Sequence, residues 1–275
     1  MRYTKTSTTF QGEIYMKERL ITLSFFMILI VFIFGCTQKT TDTNQTTITV
    51  AAASDLRFAF EEIGTLYEEK TATRVVFLFG SSGNLAQQIS QGAPIDLFAS
   101  ANKEFIEDLI ESEHLIAETK ELYAIGRIVL AVNKKSGLEI ESLNDLVLKE
   151  IDQIAIANPN HAPYGLAAKE ALLSSNVWDE IEQKLVYGEN VTQTLQFVQT
   201  GNAQVGIIAH SIANVPEIEF TIIDDTLHNP LEQMLAVVKN SSHIEISLDF
   251  ANFINSSEGR AIMEKYEFTL PQNQN

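Results

Sequence analysis

From Ile48 onward, apolar runs of strand length alternate with amphipathic stretches of helix length. That alternation admits few architectures, because each apolar strand must be covered by the helix that follows it. Strands are predicted at Ile48–Ala52, Val75–Phe79, Asp96–Ser100, Ile128–Asn133, Ile154–Ala157, Val205–Ala209, Phe220–Ile223 and Met234–Val238. Helices are predicted at Leu56–Lys70, Leu85–Gln91, Lys103–Ser112, Ser142–Leu148, Gly165–Ser175, Thr192–Thr200, Ile246–Asn255 and Ser257–Tyr266. The fold class is therefore α/β with mostly parallel strands, and no internal repeat is visible.

Four strand-to-helix junctions, at 53–55, 80–84, 158–165 and 188–192, are rich in small, hydroxyl or proline residues. In Val75-Val76-Phe77-Leu78-Phe79-Gly80-Ser81-Ser82-Gly83-Asn84-Leu85 an apolar run breaks at glycine, passes two hydroxyls and enters a helix. Such a junction presents free backbone N–H groups and Ser O–H groups where the helix dipole favours an anion. Ligands of open α/β sheets bind at the carboxyl ends of the strands. Two lobes, each giving two junctions to a shared cleft, fit this order. The expected division is a first lobe of 48–123 and 239–271 and a second lobe of 124–238 that includes the hinge crossings.

The charge of the chain shapes what such a cleft can do. The formal net charge is −17, and the first 35 residues carry four basic and two acidic residues, so the remainder is more acidic still. That surface argues against a nucleic-acid partner and offers no long-range attraction for an anion. An anion site must then work through short-range hydrogen bonds and oriented dipoles. A fully deprotonated tetrahedral anion offers only acceptors. Backbone N–H and Ser O–H groups answer it without burying a bare cation.

The N-terminal segment points outside the cytoplasm. Residues 20–34 are apolar, follow Lys17 and Arg19, and end at Gly35-Cys36. The run is short for a membrane span and suits the core of a signal peptide covering 1–36, with Met16 as a candidate start. The alternative is an uncleaved anchor that happens to end in cysteine. Ile33-Phe34-Gly35-Cys36 resembles a bacterial lipobox, which implies lipidation of Cys36, the one cysteine in the chain. The exported domain is then tethered to the outer face of the cell membrane, or periplasmic, through the polar linker 37–47.

Several blocks, in order, are similar to the molybdate-binding proteins of bacterial ABC importers. They are Ala52-Ala53-Ser54, Gly80-Ser81-Ser82-Gly83, Gln91-Gly92-Ala93-Pro94-Ile95-Asp96-Leu97-Phe98, Tyr123-Ala124-Ile125-Gly126, Asn158-Pro159-Asn160-His161-Ala162-Pro163-Tyr164-Gly165, Asn190-Val191 and Val205-Gly206-Ile207-Ile208. The resemblance spans about 48–271. It implies a two-lobed class II periplasmic-binding-protein fold with mixed sheets, no catalysis and no cofactor. It also implies a monomer that carries molybdate, or tungstate, to a membrane permease. Carried over residue by residue, the molybdate ligands are Ser54 and Ser82, through N–H and hydroxyl, and Tyr164 and Val191, through backbone N–H. Many family members complete the site with a tyrosine where this chain has Ala209. The Asp55 N–H is the expected substitute, with the Asp55 side chain facing solvent.

Bland readings stand beside these. Ser81-Ser82 also suits a plain helix cap, Pro163-Tyr164-Gly165 a proline helix start, and Val191 a core residue. The five histidines lack ligand spacing, so no metal cation is expected, though His161 and His210 fall near the cleft. Another tetrahedral anion, sulfate or phosphate, is the alternative ligand. A serine hydrolase is a further reading, yet Gly80-Ser81-Ser82-Gly83 is not a nucleophile elbow.

Overall fold

A computed structural model describes residues 45–271. The segment expected as a signal peptide, Cys36 and most of the expected tether lie outside the described residues. The described part contains ten strands in two five-stranded sheets.

The first sheet has the order β2-β1-β3-β10-β4. Its members are β1 (Thr47–Ala53), β2 (Arg74–Gly80), β3 (Leu97–Ser100), β4 (Glu121–Gly126) and β10 (Leu231–Val237). The second has the order β7-β6-β8-β5-β9, from β5 (Ile128–Asn133), β6 (Ile154–Ala157), β7 (Leu185–Gly188), β8 (Val205–Ala209) and β9 (Ile218–Ile222). Helices α1 (Arg57–Thr71), α2 (Ser82–Ser90) and α3 (Lys103–Glu111) belong to the first sheet's crossovers. Helices α4 (Pro163–Ser174), α5 (Trp178–Ile181) and α6 (Val191–Thr200) belong to the second. The chain closes with α7 (Ile244–Ile254) and α8 (Ser257–Lys265). Central strands such as β5 and β6 are buried at every position, as expected where helices cover both faces.

The sheets are mixed rather than mostly parallel. β1 pairs in parallel with β2 and β3, and β6 with β7 and β8. β10 runs antiparallel to β3 and β4, and β5 antiparallel to β8 and β9. The cause is the crossing itself. β1–β4 run toward the cleft, whereas β5 and β10 each enter their sheet from the crossing and must run away from it. Both β4 and β10 hydrogen-bond within the first sheet, so the chain changes sheets at 127 and between 222 and 231. Arg127 and Asp225 form an ion pair at 3.1 Å that links the two crossings. The stretch predicted as a helix at Ser142–Leu148 is a 3-10 turn, Leu143–Val147, started by a Ser142–Asp145 capping box.

Candidate functional site

The four junctions singled out in the sequence meet around one small cavity between the lobes. Its wall is formed by 53–55, 80–82, Ala101, 162–164 and Val191. Each junction is the start of a helical segment. Ser54–Leu56 is a 3-10 turn leading straight into α1, Ser82 opens α2, Pro163-Tyr164 opens α4, and Val191 opens α6. Four helix starts therefore aim their unpaired N–H groups and positive dipole ends at one volume. No lysine, arginine or histidine is on this wall.

Ser82 is fully buried, and its Oγ accepts the Ala101 N–H at 3.0 Å. An oxygen fixed as acceptor on one side keeps its O–H free to donate on another. Ser54 is also buried, and its carbonyl accepts the Thr192 hydroxyl from α6 at 3.0 Å. Val191 is positioned by the N-cap Asn190, whose side chain accepts the Gln193 N–H. Ala209 ends β8 opposite Ile128 and is buried, but it is not on the cavity wall. Arg57 is also off the wall, with its guanidinium over the Phe79 ring and bonded to Glu61.

Asp55 departs from expectation. Its side chain does not face solvent; the residue is 1 % exposed. The Tyr164 hydroxyl donates to its Oδ2 at 3.0 Å and the Gln233 amide donates to the same oxygen at 2.7 Å. The 3-10 turn directs the carboxylate toward the hinge strands, where these donors replace water. Burial pushes the Asp55 carboxyl up to about 6, against the downward pull of the two hydrogen bonds. The network continues as Tyr123 donates to Gln233 Oε1 at 3.0 Å. The Tyr123 and Tyr164 hydroxyls are pushed well above their ordinary range by burial and then by the Asp55 charge, so both remain donors.

Two further contacts bridge the lobes at the cavity mouth. The Gly83 N–H donates to the His161 carbonyl at 2.9 Å, and Ser81 Oγ meets His161 Nδ1 at 2.9 Å. A Cβ at Gly83 would lie 2.8 Å from that carbonyl oxygen, so only glycine permits this approach. His210, by contrast, packs edge-on against Phe220 away from the cavity wall. Ser81, His161 and Glu189 do fall in a row, but Glu189 is 69 % exposed and 3.8 Å from the ring. That geometry ties the lobes and gives no buried acid to orient a base.

Tyr123, Gln233 and Ser211, whose hydroxyl donates to the Asp55 carbonyl at 2.9 Å, were not foreseen as site residues. A glutamine inside the apolar run Leu231–Val237 was the visible signal for one of them. Among the described residues no cluster of His, Cys, Asp and Glu is placed to hold a metal ion. No described helix is long and apolar enough to cross a membrane.

Two lobes of mixed sheet joined by paired crossings, with a donor-lined cavity between them, define a periplasmic-binding-protein fold. The chain belongs to the bacterial extracellular solute-binding protein family, which it matches over residues 48–269. YvgL of Bacillus subtilis, named as an ABC transporter substrate-binding lipoprotein, is 33 % identical over 86 % of this chain and 92 % of its own length. The molybdate-binding protein ModA of Escherichia coli K12 is 30 % identical over 81 % of this chain and 89 % of its own. The structure of the periplasmic molybdate-binding protein of Azotobacter vinelandii superposes with a TM-score of 0.77 at 26 % identity, over 82 % of this chain and all of that one. The chain is thus a ModA-like substrate-binding protein, and its relatives are solute-binding proteins rather than enzymes.

Proposed function

We propose that this chain binds molybdate, and tungstate with it, in the interlobe cavity and delivers the anion to an ABC permease. The observation that carries the reading is the wall itself: hydroxyls and helix-start N–H groups from four segments, with no side-chain cation. Ser54, Ser82, Tyr164 and Val191 are the proposed ligands, with the Asp55 N–H as a fifth. Each bond to a charged acceptor contributes about 1.5–3 kcal/mol before closure and dehydration are subtracted. The ModA relatives support molybdate as the anion, and the lipoprotein relative supports a lipid on Cys36 holding the monomer at the outer face of the membrane.

Hydrogen phosphate is the second reading, because Asp55 places an acceptor on the wall. Against it stand the relatives named for molybdate rather than phosphate. Calorimetric titration with molybdate, tungstate, sulfate and phosphate separates the readings. Molybdate and tungstate are expected to bind tightly. Tight sulfate or phosphate binding with no molybdate response would sink the proposal.

A further inference from the structure

Asp55 is the one acidic residue lining the cavity, and its two carboxylate oxygens have different surroundings. Oδ2 receives Tyr164 and Gln233. Oδ1 is buried with no hydrogen-bond partner. A dianion entering a cavity without wall cations meets this carboxylate at close range, in a medium where like charges cannot both stay ionised.

We propose that Asp55 takes up one proton from solvent when the lobes close on a dianionic ligand, so that anion binding and protonation of this carboxyl are coupled. The inference rests on the reading of the cavity as an oxyanion site and adds its regulation. The proton adds to a carboxylate oxygen, and no other bond changes. The neutral acid removes the repulsion. Burial already raises this carboxyl to about 6 in the ligand-free protein.

The groups facing Asp55 do not supply an alternative counter-charge. From α4 and β4 come the neutral Tyr164 and Tyr123 hydroxyls, and from β10 the Gln233 amide. From the 210–212 turn comes the Ser211 hydroxyl, and its neighbour His210 is held below its usual pKa by burial. Arg57, two residues along, is turned to Phe79 and Glu61. Proton uptake makes affinity fall about tenfold per pH unit above about pH 6, until the bound form also ionises. The mildly acidic side then favours loading and the alkaline side favours release.

The test is calorimetry of the full chain in detergent with sodium molybdate, near pH 7.5, in two buffers of different ionisation enthalpy. Close to one proton taken up per anion is expected, with Kd rising about tenfold per unit from about pH 6 to about pH 8. Asp55→Asn is expected to abolish the count and flatten the pH profile. Molybdate binding with a zero count, or a count retained in Asp55→Asn, overturns the inference. Should molybdate be inert, the proposed ligand fails separately; the count is then taken with sodium sulfate, and a zero value overturns the coupling. Carbon-13 NMR of the Asp55 carboxyl needs no variant. An ordinary carboxylate midpoint in the ligand-free chain overturns the inference for any anion.

Discussion

The Tyr164 hydroxyl donates to Asp55 Oδ2 at 3.0 Å, joining the first turn of a second-lobe helix to the entry turn of a first-lobe helix. Gln233, on the strand that returns from the second lobe, donates to both partners, at 2.7 Å to Asp55 and 3.0 Å to Tyr164. The closed arrangement of the lobes is thereby registered at the hinge as well as at the cavity.

Tyr164→Phe removes one donor from a buried carboxylate. The expected loss is about 1.5–3 kcal/mol of stability, the range for a hydrogen bond to a charged group. The Asp55 carboxyl should rise further, since that bond holds it down. Gly126→Ala should act in the same direction, because a Cβ there would stand 2.2 Å from the Tyr164 hydroxyl oxygen. Chemical denaturation measures the first effect and carboxyl NMR the second. A Tyr164→Phe protein as stable as wild type would refute the assignment.

Gly83→Ala places a methyl 2.8 Å from the His161 carbonyl of the opposite lobe. The first lobe alone tolerates alanine at a helix start, so folding should be preserved. Closure should not be, and anion affinity is expected to fall at least about tenfold, or about 1.4 kcal/mol. Small-angle scattering with and without molybdate reads the closure directly, and a normal compaction on binding would contradict the prediction.

Ser82→Ala leaves the buried Ala101 N–H without its acceptor. An unsatisfied buried donor costs about 1–3 kcal/mol. The melting temperature should drop in the ligand-free protein and the stabilisation by molybdate should shrink. Ser82→Gly tests the same bond without the methyl, and both variants should show a smaller ligand-induced shift.

Asp55 also sets a pH dependence of stability. Its folded-state value of about 6 lies above the ordinary aspartate value of 3.8, so the folded state binds more protons than the unfolded state between them. Its contribution is fully present below about pH 3.8, is lost as pH rises through about 6, and amounts to an order of 3 kcal/mol. Glu62, Asp145 and Asp224 act oppositely. Hydrogen bonds hold their carboxyls below the usual range, so their stabilisation fades as the pH falls. Comparing wild type with Asp55→Asn from about pH 4 to about pH 8 isolates the Asp55 part. Parallel curves would rule it out.

Much of the architecture was legible because strands buried on both faces, whatever their direction, leave unbroken apolar runs. β5 and β6 were bounded correctly for that reason. β7 was missed because it is a four-residue edge strand only partly buried, so Leu185–Gly188 shows no strong pattern. β4 escapes the sequence pattern because Glu121–Gly126 mixes charged and apolar positions. The four junctions stood out by composition, and the fold brings all of them to one cavity. The inward turn of Asp55 was not legible. A carboxylate at a helix start ordinarily faces water, and here distant donors, Tyr164 and Gln233, decide otherwise.

A cavity walled by helix starts draws its donors chiefly from peptide groups, which every residue except proline supplies. Drift at Val191 or Ala53 can therefore exchange one small apolar side chain for another without the ligand registering the change. The positions under tight constraint are those that govern how closely the backbones approach: Gly83 against His161, and Gly126 against Tyr164. Selection on a binding protein of this kind should be written in its glycines more than in its contact residues.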